Sequence, residues 1–186
     1  MISIGRLSKE KNWKFLLRAA ARAMQKYPAL RVVLLGDGPE RTNLEQFTRD
    51  LGIRSKVDFI GFVDYEEVPD YLDAADFFGF ASTSETQGLV TMEAMAAGLP
   101  VVAVDASGTR DIVQDGVHGF LVDQDIEAFA QAIDQLLSNR NLYHDFQRAA
   151  SAQAKKYEIM TQAKQLLEIY QQAFEDKSKG QFVRVR

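Results

Sequence analysis

The run Ile2-Ser3-Ile4-Gly5-Arg6-Leu7-Ser8-Lys9-Glu10-Lys11-Asn12-Trp13-Lys14-Phe15-Leu16-Leu17-Arg18-Ala19-Ala20 contains one strand, one loop and the start of one helix. Ile2 to Gly5 is short, apolar and uncharged, as a strand buried on both faces requires. Beyond it Trp13, Leu16, Leu17, Ala20, Met24 and Tyr27 recur at steps of three and four until Pro28, which predicts a helix with one core-facing stripe. The alternation continues along the chain. Leu30 to Gly36, Val57 to Ile60, Phe77 to Ala81, Pro100 to Val104 and Phe120 to Val122 read as further strands with helical periods between them. Asp125 is predicted to cap a helix reaching Ser138, with Ile126, Phe129, Ile133 and Leu137 inward, and a second helix is predicted from Leu142 to Lys155. A last helix carries Ile159, Ala163, Leu166, Leu167, Tyr170 and Phe174 on one face. Short apolar strands separated by helices predict an α/β fold, a parallel sheet of about six strands covered on both sides.

Length and composition narrow the function. A chain of 186 residues suits one core. With 46% hydrophobic and 26% charged residues it reads as an ordinary globular chain, and it has no apolar run of the ~20 residues a membrane span needs. A net charge of −4 argues against nucleic acid as a partner. Cysteine is absent and there are two histidines, His118 and His144, so thiolate and histidine-rich metal sites are excluded and no metal is expected. No secretion signal is visible, so the expected location is cytoplasmic. Met1 runs directly into the first strand, which suggests a piece of a longer protein. His118, in Asp115-Gly116-Val117-His118-Gly119, reads as a turn residue and His144 as a surface helix residue.

Chemistry is concentrated in Ser84-Glu85-Thr86-Gln87-Gly88-Leu89-Val90-Thr91-Met92-Glu93-Ala94-Met95-Ala96-Ala97-Gly98-Leu99-Pro100. A helix opening near Gly88 would aim its unpaired amides, and the positive end of its dipole, at the turn holding Glu85, an arrangement that suits a phosphate. Glu93, further along the same helix, sits among Val90, Met92, Ala94 and Met95, and a carboxylate in such surroundings needs a partner. Two carboxylates flanking a phosphate, each able to accept from hydroxyls, suit a nucleotide sugar. The plainer readings are a solvated helix residue for Glu93 and a helix-capping role for Glu85.

This segment resembles the E-x7-E motif of the retaining, two-domain glycosyltransferases of group 1 (family 4). Three further stretches match that family in order: Ile4-Gly5-Arg6-Leu7-Ser8-Lys9-Glu10-Lys11, Leu35-Gly36-Asp37-Gly38-Pro39-Glu40, and Asp115-Gly116-Val117-His118-Gly119-Phe120-Leu121-Val122. The resemblance runs from the first residue to the mid-170s. It implies a Rossmann-like domain, one half of a GT-B enzyme, over residues 1–175, with a terminal helix of about residues 158–175 that crosses back to brace the other domain. Residues 176–186 are then a flexible tail, and the acceptor domain that precedes this one in the family is missing.

The resemblance also implies roles. Arg6 and Lys11 would hold the donor diphosphate; Glu85 would contact the donor sugar and Glu93 the ribose hydroxyls. Together with Arg6 and Lys11, the amides near Gly88 and Leu89 would hold charge as it grows on the departing phosphate. Gly5, Gly36, Val63, Gln87, Val90, Gly108 and Thr109 are the remaining donor-binding candidates, with the Gly61-Phe62-Val63 backbone reading the base. Gly36-Asp37-Gly38-Pro39 is expected as a strand-to-helix turn with both glycines at positive φ and Pro39 first in the helix. Two departures stand out: Gln87 replaces a commoner Phe, as in a subset that includes bacterial lipid glucosyltransferases, and Asp105-Ala106-Ser107-Gly108-Thr109-Arg110-Asp111 replaces a commoner Gly-Gly pair. The donor implied is a nucleoside-diphosphate sugar, a UDP-sugar first, used without a metal. The acceptor would be a lipid or polysaccharide, with the full enzyme at the inner face of the cell membrane. A nucleotide-sugar epimerase half and a non-catalytic nucleotide-sugar-binding module stay open as alternatives. Dinucleotide oxidoreduction ranks below them, because no G-x-G-x-x-G follows the first strand.

Overall fold

The computed structural model describes residues 1–85 and 88–178. Six strands, β1 (Ile2–Ile4), β2 (Val32–Leu35), β3 (Val57–Gly61), β4 (Phe78–Phe80), β5 (Val101–Val104) and β6 (Gly119–Val122), form one parallel sheet in the order β3-β2-β1-β4-β5-β6. Ile2 lies beside Val33 on one side and Phe78 on the other, so β1 and β4 are the central pair. The helices between them are α1 (Trp13–Met24), α2 (Arg41–Asp50), α3 (Val68–Asp73) and α4 (Leu89–Ala96), followed by α5 (Ile126–Ser138), α6 (Arg140–Ala154) and α7 (Ile159–Ser178).

Side chains alternate through the sheet, as the two-residue strand period demands. Val32, Leu34, Val102 and Val104 point into a core built with α1, α2 and α5, while Ile2, Phe78, Val101 and Ala103 point into a second core beneath α3, α4 and the end of α6. The first core includes an edge-to-face contact of Phe15 on Phe129, with ring centroids 5.6 Å apart, which joins α1 to α5. Full burial of one such side chain contributes about 1.5–3 kcal/mol, so the two cores account for the fold without disulfides. Asp125 caps α5 by accepting from the Ala128 amide at 2.8 Å, as the sequence suggests, and Asn139 does the same for α6 through Leu142.

Three expectations change in detail. Helix α1 ends at Met24, yet Tyr27 still packs against the core beyond it, and its hydroxyl bonds the Asp134 carboxylate. Pro39 is not the first helical residue, because α2 opens at Arg41 with Glu40 at its cap. Gly36 has φ +127°, but Gly38 is absent from the positive-φ glycines; a Cβ there would lie 2.5 Å from the Leu7 carbonyl oxygen, so the position needs glycine for close approach. That approach is held by hydrogen bonds from Leu7 N to Asp37 O (3.0 Å) and from Glu40 N to Leu7 O (2.9 Å), which tie the loop after β1 to the loop after β2.

Candidate functional site

The chain leaves β1 toward β2 on one side and leaves β4 toward β5 on the other, so a crevice opens between the two loops at the carboxyl ends of the strands. Four contacts fix the β1 loop. Gly5 N donates to Leu35 O and Trp13 Nε1 donates to Arg6 O, both at 3.0 Å, while the Ser8 amide and hydroxyl also reach Arg6 O. With its backbone held this way, Arg6 presents an exposed guanidinium that makes no salt bridge among the described residues. The loop then turns at Asn12, in a left-handed conformation (φ 55°), and returns Lys11 toward the crevice.

Lys11 Nζ lies 2.9 Å from Glu85 Oε2, a pair that joins the loop after β1 to the loop after β4 across 74 residues of sequence. Only 22% and 14% of these two side chains are exposed, so each charge relies on its neighbours more than a surface pair would. The Lys11 ammonium also stands 5.8 Å from the centre of the Phe80 ring. Immediately after this loop Gly88 caps α4 in a left-handed conformation (φ 61°), with no side chain among the described residues capping the helix. A Cβ at Gly88 would strike Ile112 Cδ1 at 2.4 Å, and one at Gly108 would strike the Glu85 carbonyl oxygen at 2.3 Å. The loop after β5 therefore packs directly on the backbone that carries Glu85. Leu89 is exposed and Val90 half-buried at the start of α4, whereas Thr109 is fully buried with its hydroxyl unpartnered. Gln87 lies outside the described residues.

Gly5, Arg6, Gly36 and Val63, spread over three loops, line one cleft of about 410 Å³ together with Asp37 and Phe62. Glu93 lines a second cleft of about 340 Å³, between α4 and the segment from Tyr65 to Asp73; Val68 belongs to both, so the clefts adjoin. Burial raises the Glu93 carboxyl above the ordinary glutamate range, and Tyr65, which lines the same cleft, opposes this in part. Sequence reasoning missed Tyr65 and the side chain of Phe62, which is 82% exposed. An aromatic in the turn after a strand was the available signal for Phe62. Tyr65 sits in Asp64-Tyr65-Glu66-Glu67, a string that reads as polar surface.

The histidines lie apart from this chemistry. His118 is buried, its Nδ1 accepting from the Gln114 amide at 3.0 Å, and its carbonyl pairs with Val101 at the amino end of β5, the opposite edge of the sheet from the crevice. His144 is half-buried on α6 beside Tyr143.

Fold and crevice together define a Rossmann-like domain of the GT-B type, with cationic and carboxylate side chains gathered at its switch point. The chain belongs to the glycosyl transferases group 1 family, whose model matches residues 1–153, and it is a glycosyltransferase domain. It is 39% identical over 180 residues to D-inositol 3-phosphate glycosyltransferase of Corynebacterium urealyticum, covering 90% of this chain and 41% of that protein. It is 37% identical over 143 residues to the lipopolysaccharide core biosynthesis glycosyltransferase LpsE of Rhizobium meliloti, covering 76% of this chain and 40% of that one. The chain thus spans about two-fifths of the length of these curated relatives. Among solved structures, HepE of Anabaena in complex with UDP superposes with a TM-score of 0.82 at 28% identity, over 92% of this chain and 48% of that one. The C-terminal domain of LpcC, a glycosyl transferase group 1 family protein of Francisella tularensis, superposes with a TM-score of 0.76 at 30% identity, over 85% and 86%.

Proposed function

We propose that this chain is the donor-binding domain of a retaining glycosyltransferase that takes a sugar from a nucleoside-diphosphate sugar, a UDP-sugar first. The observation that carries the reading is the Lys11–Glu85 pair, which ties the loop after β1, the loop that also carries Arg6, to the loop that leads into α4. In this reading the diphosphate lies over the α4 N-terminus, with the Arg6 and Lys11 side chains on its oxygens. Glu93 accepts from the ribose diol, Glu85 from the sugar, and the base enters the cleft beside Val63. The acceptor oxygen attacks the anomeric carbon on the face from which the phosphate leaves; the carbon–phosphate oxygen bond breaks, and the acceptor's proton passes to the departing phosphate. The protein's task is to hold the charge that grows on that phosphate, and Glu85 is no nucleophile in this scheme.

The full enzyme would place its acceptor, a lipid or polysaccharide hydroxyl, on a second domain, and would work in the cytoplasm at the inner membrane face. The apolar face of α7, with Leu166, Tyr170 and Phe174 exposed, would brace that domain. That domain would exclude water from the crevice, so residues 1–178 tested by themselves are expected to bind donor and turn over slowly.

Calorimetric titration with uridine, guanosine and adenosine diphosphates and their glucose conjugates, in the presence of a chelator, tests the reading. Binding of one base series is expected, weakened about tenfold to a hundredfold by Arg6→Ala. Folded protein that binds none of them would overturn it.

A further inference from the structure

The donor-site reading gives the Lys11 ammonium to a diphosphate, yet in the folded chain that ammonium is already engaged, with Nζ 2.9 Å from Glu85 Oε2. The two duties compete. An ammonium has three donors but a single charge, and with most of both side chains buried water does not readily take the place of either partner. The surroundings offer little relief. The Phe80 ring stands 5.8 Å from the ammonium, and Glu10, the neighbouring acid of the same loop, accepts from the Ser8 hydroxyl at 2.5 Å. In the cleft that Arg6 lines, Asp37 is held by Arg41 at 3.1 Å. An anion entering the crevice therefore meets Arg6, which makes no salt bridge among the described residues, and an ammonium that it must share with a carboxylate.

Sharing separates donor from product. Each phosphate of a nucleoside-diphosphate sugar is singly charged. Once the sugar has left, the terminal phosphate has an oxygen no longer esterified, whose proton is shed near about pH 6, so the free diphosphate carries one further negative charge where the sugar was attached. Glu85, which the reading places against the sugar, is the carboxylate this charge faces, and like charges at close range disfavour one another. We propose that Glu85 sets the preference of the crevice for the sugar-bearing donor over the free nucleoside diphosphate: by holding the Lys11 ammonium, its carboxylate weakens the grip on the product's extra charge and favours release. This rests on the donor-site reading above and deepens it, because a residue given to sugar hydroxyls also acts on the phosphate through Lys11.

Glu85→Gln keeps the length of the side chain and its ability to bond hydroxyls while removing the charge. Calorimetry with uridine diphosphate and with UDP-glucose, at about pH 5.5 and about pH 8, gives the ratio of the two affinities. In the variant that ratio should move toward uridine diphosphate by about threefold to tenfold at about pH 8 and by about twofold or less at about pH 5.5, where most of the terminal phosphate keeps its proton. Glu93, whose carboxyl burial raises, meets the ribose of both ligands in this reading and cancels from the ratio. Equal shifts at both pH values would reduce Glu85 to a contact of the sugar and overturn the inference, as would an unchanged ratio or one that moves toward UDP-glucose. The Lys11→Met, Glu85→Gln double variant removes both charges and leaves neither buried alone; its pH dependence should return to within about twofold of the parent's. A double variant that departs further from the parent would show that the effect does not run through Lys11, which also overturns it. A parent chain that binds neither ligand removes the donor-site reading and this inference together. If the parent binds and only these comparisons fail, the donor-site reading stands alone.

Discussion

Glu93 shows what burying a carboxylate costs a folded chain. Burial on α4 raises its pKa, with Tyr65 opposing. A carboxyl whose folded pKa lies above its unfolded value contributes stability below the ordinary glutamate range, and that contribution is lost as pH rises through the folded pKa. Glu93→Gln removes the ionisation. In urea titrations the variant should therefore gain on the parent as pH rises above the ordinary glutamate range, while losing nucleotide affinity. A difference in midpoint that does not change with pH would mean that Glu93 ionises in the folded chain as it does in water. Lys11 and Glu85 follow a different logic, since each carries the other's counter-charge at 2.9 Å. The sequence made both candidates through the resemblance; their pairing was not legible, because the contact closes only when two loops 74 residues apart meet.

At the scale of elements, the decisive contact is loop on loop. Helix α4 begins where Gly88 fits beneath Ile112, and the backbone of Glu85 is backed by Gly108 at a distance that leaves no room for a Cβ. Both Gly108 and Gly116 have positive φ, 80° and 70°, but a Cβ at Gly116 meets nothing within 4 Å. The pair separates backbone strain from contact. Gly116→Ala should cost about 1 kcal/mol and leave nucleotide affinity unchanged, whereas Gly108→Ala should cost at least about 2 kcal/mol and weaken binding, because Glu85 must move. Equal effects of the two variants on affinity would show that the loop after β5 does not hold Glu85. In the sequence Gly108 is a donor-binding candidate through the resemblance and Gly116 belongs to a matched stretch; what packs around each is visible only in the fold.

On the scale of the whole molecule, the sheet carries two cores and α7 stands outside both. Its principal contact is with the turn at residues 155–157, and Leu166, Leu167, Ile169, Tyr170 and Phe174 are each at least half exposed. No helix among the described residues is long and apolar enough to cross a membrane. Truncation after Glu158 should leave the unfolding free energy of the remaining chain, measured in urea, within about 0.5 kcal/mol of the parent, and circular dichroism should lose the signal of the 20 residues of α7. A large fall in the midpoint would mean that α7 returns to the domain in solution.

The layers can be read from residue patterning alone. Apolar runs too short for helices and uncharged throughout have to be strands buried on both faces, and stripes at steps of three and four have to be helices that cover them. The sequence also supplied the family, through motifs whose order along the chain survives without any structure. Which of those residues meet is settled by the folded chain alone: Lys11 closes on Glu85, Gly108 backs Glu85, and Tyr65 and Glu93 line one cleft. Local periodicity is set by neighbours a few residues away and can be read directly. The site is assembled from loops at the carboxyl ends of different strands, and their meeting depends on strand order and on close backbone approach, neither of which leaves a period in the sequence.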